Sequence, residues 1–211
     1  TPCCILVVTA TVAGNSAKVF EAMSHGALDA VNTPKLGMQG SMEGAAQFLQ
    51  KLETIEMLCK KSKGSTLKTV HPLPEPAPES ANAPYMVAIG SSTGGPAALK
   101  QLLAELPAGF AAATVIIQHI DHEFAEGLAQ WLGTFTKLKV GVATEGQQPL
   151  PGNVYVACSN DHLVITPEMK FKYTPDPVDQ PFRPSIDVFF ESAYSNWPRK
   201  GQPRCSSPSA A

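Results

Sequence analysis

The chain has 211 residues, of which 44% are hydrophobic, so it is long enough for one or two domains with a substantial core. Its formal net charge of −2 gives no reason to expect nucleic acid or an anionic membrane surface as a partner. No apolar run reaches the roughly 18 residues that a membrane span needs and no signal peptide is visible, so we expect a protein that is not embedded in a membrane.

Cysteine usage points to the compartment. The five cysteines are odd in number and form no C-x-x-C pair. That pattern fits a reducing cytoplasm better than a disulfide framework or a zinc site. We therefore expect a cytoplasmic protein, and the sequence gives no reason to expect a metal or a cofactor.

The N-terminal segment, residues 1–61, predicts one strand–helix–strand unit and a further helix. A buried strand at Cys4–Thr9 precedes a helix that Ser16 caps and Gly26 ends, and a second strand follows at Ala27–Val31. Residues 44–61 carry a helical pattern. A β–α–β unit of this length implies parallel strands but is too small to fold alone.

Composition divides the rest of the chain. Residues 62–84, in which Pro alternates with Glu and Ala from Pro72 onwards, predict an extended linker. Residues 85–197 alternate strands and helices, which favours an α/β fold with a mostly parallel sheet and flanking helices. Residues 198–211 have no hydrophobic face and predict a disordered tail. The predicted segments are therefore 1–61, 62–84, 85–197 and 198–211.

A glycine-rich turn joins the strand at residues 85–90 to a helix that Pro96 opens. It presents the hydroxyls of Ser92 and Thr93 beside backbone N–H groups at a helix N-terminus, where an oxyanion is favoured. A bound phosphate and a close-packed β–α corner are the alternatives, because glycine-rich turns are weak signals.

His119 stands at the end of the next predicted strand, Thr114–Gln118. Ligands meet the carboxyl ends of parallel strands, so we expect Ser92 and His119 at one sheet edge, as a nucleophile and its base. The alternatives are a solvated loop histidine and a metal site at His119-x-x-His122, which lacks a suitable third ligand.

Four motifs in residues 85–197 resemble the chemotaxis-type protein-glutamate methylesterases, the CheB family. They are Ile89-Gly-Ser-Ser-Thr-Gly-Gly95, Ile117-Gln-His119, Leu150-Pro-Gly-Asn-Val-Tyr-Val-Ala157 and Arg183-Pro-Ser-Ile-Asp-Val188. The resemblance implies Ser92 as nucleophile, His119 as general base, and Thr93 and Gly94 as residues that line the substrate and oxyanion site. It also implies methyl-accepting chemotaxis receptors and the histidine kinase of the pathway as partners.

Residues 1–61 resemble the C-terminal part of a flavodoxin-like response-regulator receiver domain, closest to the Wsp-type members, plus a following helix. The matching stretches are Ile5–Ala10 and Gly26–Pro34, although Thr33 stands where receivers usually have Lys. The first half of a receiver, with its phosphoacceptor aspartate, is not in this chain.

The catalytic aspartate of the family lies in a glycine-rich segment after the Arg-Pro-Ser helix. This chain instead runs into its Pro/Ser tail, which resembles the product of a shifted reading frame. None of the remaining aspartates stands in the family motif, so none is assigned; they include Asp121, Asp161, Asp176, Asp179 and Asp187.

The expected function is a protein-glutamate methylesterase that also deamidates glutamine, impaired because the domain lacks its C-terminal part. The alternatives are a non-catalytic module that binds the receptor or the kinase, and a different serine ester hydrolase.

Overall fold

The computed structural model describes residues 4–10, 12–36, 42–43, 45–61, 85–180 and 182–198. The predicted linker, 62–84, and residues 199–211 of the predicted tail lie outside the described residues. The N-terminal elements are β1 (Ile5–Thr9), α1 (Val12–Ser24), β2 (Ala27–Asn32), β3 (Lys35–Leu36), β4 (Met42–Glu43) and α2 (Ala45–Lys61). The later elements are β5 (Tyr85–Ser91), α3 (Gly95–Glu105), β6 (Ala112–Gln118), α4 (His122–Gly133), β7 (Lys139–Val142), β8 (Asn153–Val156), β9 (His162–Ile165), β10 (Phe171–Thr174) and α5 (Ile186–Asn196).

The largest sheet has the order β5-β6-β8-β7, and all of its pairings are parallel. Helices α3 and α4 connect its strands, as the alternating pattern predicts. β9 and β10 form an antiparallel hairpin, and β1 pairs with β2 in parallel. The prediction of a mostly parallel α/β fold is therefore confirmed.

Two predictions for the N-terminal segment are wrong. β1 is not a buried strand, because Ile5 and Val8 are 46% and 47% exposed, and β2 is its one partner among the described residues. Ser16 is not a helix cap, because α1 already begins at Val12. Instead Ser16 lies so close to Gly127 of α4 that a side chain at residue 127 would collide with it.

The main core joins the segments on both sides of the predicted linker. Val19, Phe20 and Met23 of α1 are buried in one cluster with residues of α3, α4, β6 and β8. The Phe20 ring stacks on Trp131 at a centroid distance of 5.6 Å and meets Phe124 edge-on at 6.5 Å. A second cluster fills the other face of the sheet, under the β9–β10 hairpin and α5. The division into domains stays a prediction, as does the identification of residues 1–61 with a receiver.

Cys4 and Cys59 are joined by a disulfide, with 6.6 Å between their Cα atoms. This pair departs from the cysteine pattern, which favoured a reducing compartment over a disulfide framework, because it depends on how α2 packs against the β1–β2 unit. Cys158 is a free thiol. No described helix is both long and apolar enough to cross a membrane.

Candidate active site

The turn after β5 is shaped by two glycines. Gly94 has a φ of +80°, a backbone conformation that residues with a side chain rarely adopt. Helix α3 begins at Gly95, with Pro96 in its first turn. A Cβ on Gly95 would collide with Gln118 Oε1. The turn therefore needs glycine at both positions, one for its backbone angle and the other for space.

Gln118 fastens this turn from the neighbouring strand. It is 2% exposed; its Nε2 donates to the Ser92 carbonyl at 2.9 Å, and its Oε1 accepts from the Ser91 hydroxyl at 2.6 Å. The backbone N–H of His119 donates to the Ser91 carbonyl at 2.9 Å. Sequence reasoning placed Gln118 in a motif without a role. Its Nε2 also donates to the His119 carbonyl at 3.4 Å, so Gln118 holds the serine turn and the His119 backbone together.

Ser92 and His119 line the same pocket, as expected from the ends of adjacent parallel strands. Ser91 pairs with Gln118 in the register of β5 and β6, so the residues that follow, Ser92 and His119, emerge side by side. The pocket has a volume of about 340 Å³. Its wall is formed by Asp29, Ala46, Gln50, Lys51, Thr54, Ser92, Thr93, His119, Ile120, Phe182 and Arg183.

Thr93 faces a buried ion pair from the N-terminal segment. Its hydroxyl donates to Asp29 Oδ2 at 3.0 Å, and Lys51 Nζ donates to Asp29 Oδ1 at 2.7 Å. Lys51 Nζ also donates to the Ala30 carbonyl at 2.7 Å. Sequence reasoning missed these wall residues, because nothing in their local pattern distinguishes them from other residues of a strand and a helix.

The N–H of Gly94, expected among the oxyanion donors, donates to the Leu28 carbonyl at 2.7 Å. The N–H of Gly95 donates to the Ser92 carbonyl at 2.8 Å. The Gly94 N–H could therefore bind a substrate oxygen only if it gave up its hydrogen bond to the Leu28 carbonyl of β2.

The His119 ring is shielded from water on one side. It stacks on Phe182 with 4.4 Å between centroids and 12° between planes. Its Nε2 is buried and has no hydrogen-bond partner among the described residues. Burial lowers the pKa of His119; Asp187 and Asp29 oppose this shift, while Lys51 adds to it.

No carboxylate of the described residues hydrogen-bonds the His119 side chain. Asp187, in the first turn of α5, is the carboxylate with the largest electrostatic effect on its pKa. Asp121 instead caps α4 through Glu123 N and accepts from Asn32 Nδ2 at 3.2 Å. The described residues also contain no group of three His, Cys, Asp or Glu side chains suited to a metal, and His122 lies beside Asp121.

Comparison with known proteins gives a consistent result. Residues 87–201 match the family described as CheB methylesterase. The chain is 49% identical, over 93% of its length, to the protein-glutamate methylesterase/protein-glutamine glutaminase 2 of Burkholderia lata, and 46% identical to that of Cupriavidus metallidurans. It spans 56% of the length of each of these relatives. The crystal structure of the Thermotoga maritima CheB methylesterase catalytic domain superposes with a TM-score of 0.53 at 31% identity, covering 55% of this chain and 63% of that one.

Proposed function

This chain belongs to the CheB methylesterase family, and we propose that it hydrolyses the γ-methyl esters of glutamate side chains in a chemotaxis-type receptor. The observation that carries the proposal is the placement of Ser92 and His119 on the wall of one pocket, at the ends of adjacent parallel strands. A serine hydroxyl is too weak a nucleophile alone, and a neighbouring imidazole supplies the base.

In the proposed reaction the Ser92 hydroxyl attacks the ester carbonyl while His119 takes its proton. The tetrahedral oxyanion is held at the start of α3, where the helix dipole is positive, by the Gly94 N–H once it has exchanged its bond to the Leu28 carbonyl. Methanol leaves with the proton from His119, and water then releases the glutamate carboxylate and regenerates Ser92. Glutamine deamidation follows the same acyl route, with ammonia as the leaving group.

The buried state of His119 suits the role of a base. Burial lowers its pKa and so favours the neutral imidazole, and Nε2, which has no partner among the described residues, can accept a proton when the ring is protonated at Nδ1. No described carboxylate hydrogen-bonds the ring, and loss of that partner costs about 10⁴ in kcat in a serine triad. We therefore expect slow turnover from this chain.

The cellular setting follows the same proposal. The enzyme acts in the cytoplasm on methyl-accepting receptors, within a pathway driven by a histidine kinase. Residues 1–61 are the end of the receiver domain that precedes the esterase.

A fluorophosphonate probe, which labels activated serines, tests the proposal on the purified chain. We expect labelling of the wild type and none of Ser92→Ala. Ser195→Ala is the matched control, because the Ser195 hydroxyl is exposed on α5, where it donates to the Glu191 carbonyl, and Ser195 does not line the pocket. Methanol release from a methylated receptor then separates a methylesterase from another serine esterase. Absence of labelling in the wild type would contradict the proposal and favour a binding module.

A further inference from the structure

Phe182 covers one face of the His119 imidazole, with the two rings nearly parallel. Phe182 is itself 38% exposed, so it does not belong to either hydrophobic core. Its contact with His119 is therefore not explained by core packing.

The loop that carries Phe182 is anchored beside the ring. Arg183 Nη2 donates to the Val178 carbonyl at 2.9 Å. The Ser185 N–H donates to Nδ1 of the fully buried His162 at 3.0 Å, and His162 Nε2 pairs with the Pro177 carbonyl at 3.1 Å. The buried His162 imidazole is therefore hydrogen-bonded to the loop on both sides of Phe182, at Pro177 and at Ser185.

The start of α5 is fixed to the serine strand as well. The Ile186 side chain packs so closely on Gly90 of β5 that a Cβ at residue 90 would collide with it. The segment from residue 182 to residue 186 is therefore held, at its Ile186 end, against the strand that leads to Ser92.

We propose that Phe182 is a positioning residue that fixes the plane of the His119 imidazole. In Ser-His-Asp sites a hydrogen-bonded carboxylate orients the ring, whereas no described residue bonds the His119 side chain here. A stacked aromatic ring restricts the imidazole by contact and excludes water from one of its faces. The inference rests on the proposed role of His119 as the base.

The charged groups around His119 come from three elements. Asp187 belongs to α5, Asp29 to β2 and Lys51 to α2. Their effects on the pKa of the ring oppose one another, while burial lowers it. Removal of the Phe182 ring should hydrate the imidazole, and its pKa should then rise.

The test is an NMR pH titration of the His119 ring protons in the full chain. In the wild type we expect ring-current shifts from the stacked Phe182. In Phe182→Leu, which keeps an apolar side chain, these shifts should vanish and the His119 pKa should rise. Phe182→Tyr retains the aromatic ring and should restore both signals.

Phe190→Ala is the matched control, since Phe190 is a similarly exposed aromatic, at 42%, that meets Phe189 edge-on and does not contact the His119 ring in a stack. Unchanged His119 shifts and pKa in Phe182→Leu, or equal changes in Phe190→Ala, would overturn the inference.

The labelling rate of Ser92 by the fluorophosphonate gives a functional readout, with a fall of about tenfold expected in Phe182→Leu and none in Phe190→Ala. If the wild type is not labelled but its His119 protons show the ring-current shifts from Phe182, the proposed function is wrong while the stacking contact stands. If the wild type is labelled and Phe182→Leu is labelled at the same rate, only the positioning role of Phe182 is wrong.

Discussion

The Thr93 hydroxyl donates a 3.0 Å hydrogen bond to the Asp29 carboxylate, which ties the serine turn to a strand 64 residues earlier in the chain. Asp29 is 3% exposed and accepts from Lys51 as well. A buried carboxylate needs such partners, because its charge is otherwise poorly solvated. One side of the pocket is therefore built on a buried ion pair from the N-terminal segment.

Breaking that ion pair should destabilise the protein. In Lys51→Met the Asp29 carboxylate would stay buried without its cation, so we expect the free energy of unfolding in urea to fall by about 3 kcal/mol. Glu53→Gln, an exposed change on the same helix, should stay within about 0.5 kcal/mol of wild type. A loss in Lys51→Met no larger than that of the control would contradict the structural role of the pair.

Gly95→Ala should disrupt the serine turn. Its Cβ would collide with Gln118 Oε1 and lie 2.9 Å from Ser91 Cβ, and the Gln118 side chain is held in place by three hydrogen bonds. We expect a loss of about 1–3 kcal/mol of stability and reduced labelling of Ser92. At Gly109 an added Cβ meets nothing within 4 Å, so Gly109→Ala serves as the control. Similar behaviour of the two variants would argue against this packing.

The reactivity of Ser92 should depend on the protonation of His119. Burial lowers the pKa of His119 from its ordinary 6.5, so the labelling rate should fall with a midpoint below that value as the pH decreases. A midpoint above 6.5 would contradict the buried environment of the ring.

The same pKa shift affects stability. Because the pKa is lower in the folded protein, the unfolded chain binds more protons between the folded and unfolded pKa values. The free energy of unfolding should therefore rise with pH through this window, and the contribution of His119 should be complete above the unfolded pKa. Urea unfolding at several pH values would show a smaller rise in His119→Gln.

Replacement of His162 should loosen the loop that carries Phe182. His162 is fully buried, and in His162→Phe the Ser185 N–H and the Pro177 carbonyl would both lose their partner. We expect a loss of about 2 kcal/mol or more in thermal or urea unfolding. The same change at the exposed His25 should have little effect, and an equally mild His162→Phe would show that the loop is held by other contacts.

The sequence predicts the local elements around the site well. The strand at residues 114–118 and the glycine that ends α1 both follow from short-range chemistry, and both are confirmed. The proximity of Ser92 and His119 was predictable too, because parallel strands place their carboxyl ends at one edge. The catalytic roles of both residues stay predictions.

Long-range contacts were beyond sequence reasoning. The bond between Asp29 and Thr93, the disulfide between Cys4 and Cys59, and the stack of Phe182 on His119 join residues far apart in the chain. None of these pairs has a local signature, since each depends on how whole elements pack. The prediction that Ser16 caps α1 was wrong for the same reason. Ser16 lies within α1 and packs against Gly127 of α4, a long-range contact that the local sequence does not indicate.

The stacking of Phe20 on Trp131 means that the N-terminal segment completes the core of the later one. Residues 1–61 and residues 85–211, produced as separate polypeptides, should then reassemble by complementation when mixed. The 1–61 fragment would then bind the 85–211 fragment as one subunit binds another, and Phe20→Asp in the 1–61 fragment should abolish this binding.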